Sequence, residues 1–273
     1  MPIRFIASDL DGTLLTGISE LSAYTAQVIH RCAQNGIKIA VATGRAYDTM
    51  PPCIFENRDI DYAITSNGAA VYDLKNKHLL THSLLPADSV RQLAAYAIEH
   101  NLGLEFICNG KAYGESYYFD HPDRFCFDKR SVQYLFSTRT RIENLDLFLN
   151  AHVAEIESVN YVLRDPQMKP EISARFRNNT ALYITSSNPL MVEFSTAGSG
   201  KANALRYLLK KERMHTTQLA AFGNAQNDLE MIHLAHIGVA TANSPQEVKS
   251  QCAYVCGACE EDGVAHFIEE HIL

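Results

Sequence analysis

The chain has 273 residues, 47% of them hydrophobic and 20% charged, with a formal net charge of −7. This composition suits a soluble globular protein of one large domain or two modest ones, and the acidic balance argues against nucleic acid or an anionic membrane as the main partner. No apolar run approaches the ~18 residues that span a bilayer, the first residues lack a signal-peptide pattern, and seven scattered cysteines suit a reducing cytoplasm better than a disulfide framework.

Residues 3–7 form a short apolar run expected to be the first strand. Residues 22–35 carry Val28, Ile29 and Cys32 on one helical face and stop at Gly36. Residues 37–42 are continuously apolar, as a strand buried on both faces should be. A helix over 46–55 is interrupted by Pro51-Pro52, and residues 62–65 make a third strand. Asn67-Gly68 is a turn, and a hairpin is expected from 69–72 to 79–83. The β-α-β-α-β order implies a parallel sheet with right-handed crossovers.

The rhythm then changes. Residues 88–100 predict an amphipathic helix, with Val90, Leu93, Ala94, Ala97 and Ile98 on one face. A strand at 104–108, a Tyr- and Phe-rich loop at 113–127, helices near 142–152 and 170–176, and strands at 158–162 and 181–186 follow. From Val192 the α/β alternation returns, with helices at 201–212, 229–236 and 264–271 and strands at 219–222 and 237–240. The expected fold is α/β: a doubly wound, mostly parallel core of residues 1–83 and 190–273, with an inserted α+β domain at 84–189.

Chemistry concentrates just past the core strands. Asp9-Leu10-Asp11-Gly12-Thr13 follows the first strand. Residues i and i+2 of an extended segment point the same way, so Asp9 and Asp11 project together, and Gly12 permits a sharp turn. Two adjacent carboxylates need a cation or hydrogen-bond donors, or one of them keeps its proton. Thr43-Gly44-Arg45, Ser66-Asn67-Gly68 and the run from Gly223 to Asp228 also follow predicted strands, and Lys201 opens the helix after the insert. Ligands of open α/β sheets bind beyond the carboxyl ends of the strands, so these segments should converge. Together they suit an oxyanion substrate with a divalent cation.

Asp9-Leu10-Asp11-Gly12-Thr13, Thr43-Gly44-Arg45, Lys201 and the Gly-x-x-x-Asn-Asp segment ending at Asp228 resemble, in order, the four motifs of the haloacid dehalogenase superfamily. Ser66-Asn67-Gly68-Ala69, the large insert and Asp262-Gly263-Val264-Ala265 resemble its Cof-type sugar-phosphatase branch. The resemblance implies a Mg²⁺-dependent phosphatase acting on small phosphorylated metabolites such as sugar phosphates. It makes Asp9 the nucleophile that becomes an aspartyl-phosphate, and Asp11 the acid toward the leaving oxygen and then the base toward water. It gives Thr43 and Lys201 to the phosphoryl group, and Gly44, Arg45, Asn67 and Asn227 to phosphate or cap contacts. Asp9, Asp11 (through its backbone carbonyl), Asn224 and Asp228 would hold the Mg²⁺. Cap residues would set specificity and exclude water, in a monomer or homodimer.

One position departs from the family pattern: Asn224 stands where a metal-binding aspartate is usual, so weakened Mg²⁺ affinity is expected. A phosphomutase and a metabolite-binding regulator without turnover are the alternative functions. Ala197-Gly198-Ser199-Gly200-Lys201 superficially suggests a nucleotide P-loop, but Ser195 and Ala202 occupy places where that motif needs Gly and Ser or Thr. Cys252, Cys256 and Cys259 have iron–sulfur spacing, for which packing cysteines are the simpler account. His233 and His236 at i, i+3 suit a surface helix better than a metal site. Tyr113, Tyr117, Tyr118, Phe119, Phe125 and Phe127 fit either a surface facing substrate or the insert's own core.

Overall fold

A computed structural model describes residues 2–17, 19–126 and 128–273. The chain runs β1 (Phe5–Ser8), α1 (Ala23–Gln34), β2 (Lys38–Ala42), α2 (Pro52–Glu56), β3 (Tyr62–Thr65), β4 (Ala70–Asp73) and β5 (His78–His82). It continues with α3 (Ala87–Glu99), β6 (Gly103–Cys108), β7 (Lys111–Glu115), α4 (Ser116–Asp120), α5 (Lys129–Thr138), β8 (Thr140–Ile142), α6 (Leu145–His152), β9 (Ile156–Val162), α7 (Lys169–Phe176), β10 (Leu182–Thr185) and β11 (Met191–Thr196). It ends with α8 (Lys201–Lys211), β12 (Leu219–Gly223), α9 (Leu229–Leu234), β13 (Ile237–Thr241), α10 (Gln246–Lys249), β14 (Tyr254–Cys256) and α11 (Gly263–His271).

The chain divides into two compact units: Met1–Gly44, Met50–Thr81 and Gly200–Leu273, and Arg45–Thr49 with His82–Ser199. The second unit therefore extends beyond the 84–189 expected for the insert. The cause is β11, whose residues pair antiparallel with both β9 and β10 and so belong to that unit's sheet. None of the described helices is long and apolar enough to cross a membrane.

The first unit is built on an eight-stranded sheet of order β14-β13-β12-β1-β2-β3-β4-β5. Pairing is parallel from β14 to β3 and antiparallel between β3 and β4. Phe5 and Ala7 face Leu205, Leu208 and Met231 of α8 and α9. On the alternate face Phe222 meets Phe267 of α11, ring centroids 5.7 Å apart. Helices thus cover both faces, which explains why these strands are apolar throughout. Ser22 caps α1 by accepting from Thr25 N–H at 2.9 Å. The Ser22 and Thr25 hydroxyls also donate to Asp262 at the start of α11. After β1 the chain builds β2 and β3 on one side; after the second unit it builds β12, β13 and β14 on the other. The order therefore reverses between β1 and β12, the kind of position beyond whose carboxyl ends open α/β sheets bind ligands.

The second unit has a six-stranded sheet of order β10-β11-β9-β6-β7-β8. Leu104, Phe106, Val159, Tyr161, Val192 and Phe194 share one face and pack against α3 and α7 through Leu93, Ile172 and Phe176. The opposite face carries Glu105, Asn160 and Glu193 in one cross-strand row and Ser158 and Ser195 in the next, all buried. The expected aromatic loop at 113–127 is instead β7, α4 and a turn, in which Tyr118, Phe119 and Phe125 form a small core with Leu135. Tyr113 and Tyr117 are half-buried, and Phe127 lies outside the described residues. The helix expected over 46–55 is two pieces, a turn at Tyr47–Thr49 and α2, which starts at Pro52 because proline fits a helix's first turn.

Candidate active site

The reactive cluster begins where β1 ends. Asp9 N–H donates to Phe222 O at 2.9 Å, extending the β1–β12 ladder by one residue. The chain then coils: Leu14 N–H donates to Asp9 O at 3.2 Å and Leu15 N–H to Leu10 O at 2.9 Å. Gly12 allows this bend with φ +77°, and a Cβ there would lie 2.4 Å from Asn224 Nδ2. The positive φ is what favours glycine here, since the Asn224 amide end could swing aside. The Gly12 carbonyl accepts from Asn243 Nδ2 at 2.8 Å and Thr241 Oγ1 at 3.3 Å.

Lys201 is the centre of the cluster. Its Nζ donates to Asp9 Oδ1 at 2.7 Å and to Asp228 Oδ1 at 2.6 Å, with the side chain wholly buried. Thr13 Oγ1 donates to the other Asp9 oxygen at 3.2 Å. Asp228 Oδ2 accepts from the Asn224 and Ala225 amides, each at 2.9 Å, so Asp228 holds the lysine and its own loop together. This placement also removes the P-loop reading, because two carboxylates engage the ammonium that would meet a nucleotide phosphate.

Burial pushes the Asp9 carboxyl up to about 7. Lys201 pulls in the opposite direction, while Asp228 and Asp11 add to the rise. Burial alone would lower Lys201, but Asp228 and Asp9 outweigh it and hold the ammonium above the ordinary lysine range. Asp9, Asp11 and Asp228 set three carboxylates against one ammonium, an imbalance that a divalent cation would offset.

Two further segments close on the cluster. Thr43 is buried, and its N–H donates to Ile64 O at 2.8 Å. Asn67 N–H donates to Thr43 O at 3.1 Å, and Gly200 N–H donates to Asn67 O at 3.1 Å. Asn227 Nδ2 donates to Asn67 Oδ1 at 2.9 Å. Ser66 and Asn67 both hold φ near +52°, a left-handed turn that asparagine tolerates better than most residues. A Cβ on Gly68 would lie 2.3 Å from Gly200 O, so glycine is what lets this turn reach the start of α8.

The structure thus links Asp9, Lys201 and Asp228 directly and joins Thr43, Asn67 and Asn227 through Gly200 and the Asn67 turn. It sets Asn224 beside Gly12. Asp11 is exposed one residue before that bend, and Gly44 ends the first unit's opening segment. Arg45 falls in the second unit, where its Nη1 donates to Thr49 O at 2.8 Å and its guanidinium lies 5.2 Å from the Tyr134 ring centre. Among the described residues, Cys252, Cys256 and Cys259 do not gather into a three-ligand cluster, which leaves them as packing residues. Thr13, Thr241 and Asn243 brace the site through contacts that the sequence pattern alone does not mark. The strand-end rule that found Asn224 would have pointed to Asn243, just past β13.

Known proteins are similar to this one over nearly the whole chain. Residues 6–268 match the family model described as haloacid dehalogenase-like hydrolase. The chain is 26% identical over 271 residues to the 5-amino-6-(5-phospho-D-ribitylamino)uracil phosphatase YcsE of Bacillus subtilis, covering 99% of this chain and 96% of that protein. It is 26% identical over 282 residues to the pyridoxal phosphate phosphatase YbhA of Escherichia coli, covering both chains fully at 100%. A solved haloacid dehalogenase-like hydrolase from B. subtilis superposes with a TM-score of 0.85 at 24% identity, over 99% of this chain and 100% of the other.

Proposed function

The chain belongs to the haloacid dehalogenase-like hydrolase family and is a phosphatase of phosphorylated small molecules, and we propose that it hydrolyses phosphate monoesters through an aspartyl-phosphate on Asp9. The observation that carries this reading is the buried Asp9–Lys201–Asp228 bridge at the strand-order reversal.

An Asp9 carboxylate oxygen attacks phosphorus as the bond to the ester oxygen breaks, and Asp11 delivers a proton to the departing alkoxide. Asp11, now ionised, takes a proton from water as that water attacks the same phosphorus. The acyl-phosphate bond breaks, and Asp9 and inorganic phosphate are released. Lys201 fixes the Asp9 carboxylate and offsets charge that develops on the phosphoryl oxygens. Thr43 and Asn67 line the buried turn beside it as phosphate ligands, with Asn227 bracing Asn67.

The donor set fits Mg²⁺, a hard cation that favours oxygen ligands and few carboxylates. Asp9, the Asp11 carbonyl and the Asn224 amide oxygen would hold it, and when bound it supplies positive charge to the phosphoryl oxygens. Asp228, expected among the ligands, accepts hydrogen bonds from Lys201 and two amides against only Lys201 and Thr13 at Asp9, and we assign it the role of a brace. Asn224 brings no negative charge, so the Mg²⁺ requirement is set high.

The test is a panel of sugar phosphates, pyridoxal phosphate and the ribitylaminouracil phosphate, with Mg²⁺ and no bisphosphate activator. Phosphate should be released from at least one member, and Asp9→Ala should abolish release by at least about 10⁴-fold. Release that persists in Asp9→Ala would sink the covalent route.

A further inference from the structure

The second unit contains a group of side chains that the phosphatase reaction does not use. Cys108 ends β6, His152 ends α6 and Glu155 lies in the turn that follows, and one donor atom from each lies within 4.8 Å of the others. Cys108 Sγ donates to Glu155 Oε2 at 3.8 Å, and His152 Nδ1 lies 2.9 Å from the same oxygen. Tetrahedral bonds of 2.0–2.3 Å to zinc set neighbouring ligand atoms roughly 3.3–3.8 Å apart, so small side-chain shifts suffice.

Supporting contacts hold these groups in place. Asn109 and Gly110, with φ of +49° and +73°, turn β6 into β7 and fix Cys108 at the hairpin end. Asn109 Nδ2 donates to Glu155 Oε2 at 3.1 Å, as a second layer of contacts around a metal ligand would. The Phe148 ring lies 5.1 Å from the His152 ring and is itself packed on Phe106 and Tyr113, which limits how the imidazole can turn. The buried Glu157 carboxylate accepts from Gly110 N–H at 2.9 Å and so holds the hairpin turn that carries Cys108. The His152 and Glu155 side chains are 40% and 45% exposed, so an ion can reach them from solvent and keep a water as fourth ligand.

We propose that Cys108, His152 and Glu155 form a binding site for a borderline-soft divalent cation of the zinc type. Thiolate and imidazole select such ions over Mg²⁺, which keeps this site chemically distinct from the oxygen donors around Asp9. On binding, the Cys108 S–H bond breaks and its proton leaves to water, and a metal–sulfur bond forms. The imidazole keeps its proton on Nε2 and presents Nδ1. Thiolate and carboxylate together neutralise the ion's two charges.

Cobalt(II) added to the full-length protein in excess Mg²⁺ is the probe. One equivalent should produce thiolate-to-cobalt charge-transfer absorption in the near ultraviolet. Cys108→Ser should remove it, and His152→Ala and Glu155→Gln, at half-exposed positions, should weaken cobalt binding at least about tenfold. Circular dichroism of each variant keeps loss of binding separate from loss of fold. No such band in the wild type would overturn the proposal and leave the three residues as a hydrogen-bonded brace. A band that survives in Cys108→Ser would overturn it by assigning the ion to another cysteine.

Discussion

Asp9 and Asp228 share one ammonium and differ in what else touches them. Asp228 is sealed, with Lys201 on one oxygen and two backbone amides on the other. Asp9 has Lys201 on one oxygen and a single threonine hydroxyl, at 3.2 Å, on the other, and its side chain retains 9% exposure. In the proposed mechanism the same side chain is thus a fastener just before α9 and a reactive group at the end of β1. What separates them is spare acceptor capacity: a carboxylate with its lone pairs committed holds structure, and one with lone pairs to spare can attack.

After the loss of Asp9 itself, removing the shared partner should have the largest effect. Lys201→Met leaves two buried carboxylates without their cation. Turnover should fall by about 10²–10³-fold, and a urea titration should show a loss of about 3–5 kcal/mol of stability. Unchanged stability would mean the bridge is not formed in solution. Asp228→Asn tests the fastener alone. It should lower kcat by up to about 10²-fold through a misplaced lysine, with KM little changed; a loss confined to KM would assign Asp228 to substrate instead.

The pH dependence of the metal-free protein reads Asp9 directly. Its carboxyl lies at about 7 when folded, against the usual 3.8. The folded state therefore holds this proton more tightly than the unfolded chain does. The stabilising contribution is complete below 3.8 and disappears as pH rises through about 7. Asp9→Asn should accordingly gain on the wild type between about pH 4 and 8, by a few kcal/mol at most, as seen in urea midpoints. Added Mg²⁺ should erase much of that difference, and a gap that does not change with pH would contradict the assignment. The smallest effect is expected from Asn224→Asp, which restores a charge near Gly12. The Mg²⁺ concentration for half-maximal activity should drop about tenfold, and an unchanged or higher requirement would refute the weakened-site reading.

The sequence exposed much of this comparison because phosphoryl chemistry demands particular residue types at strand ends. Asp9 and Asp228 are legible for that reason, Lys201 only through its place in the order of motifs that resemble the family, and the α/β core through strands apolar on both faces. The second unit was harder to read. Gly114 sits inside β7, a place where glycine argues against a strand, because a Cβ there would come within 2.7 Å of the Phe119 ring. Asn109-Gly110 was the hairpin signal that could have identified β7. Apolar periodicity does not mark α5, although Asp128 caps it by accepting from Ser131 N–H at 2.7 Å. The buried polar face of the second sheet also broke the expected pattern, since Glu105 is compensated by Arg139, far along the chain, at 2.9 Å. Such pairings depend on closure in three dimensions, so short-range periodicity does not contain them.

The Lys201–Asp9 contact spans 192 residues of chain, which makes closure of this bridge a late event in the life of each molecule. At ribosomal rates of 5–20 residues per second, roughly 10–40 s separate the synthesis of Asp9 from that of its lysine. Asp228 follows 27 residues later still. During that interval the second unit, whose contacts lie within its own contiguous stretch from His82 to Ser199 apart from the short Arg45–Thr49 segment, can fold first. The β1 strand meanwhile lacks its β12 neighbour, and the buried Asp9–Lys201 bridge cannot close until the stretch from Lys201 to the end arrives to complete the sheet.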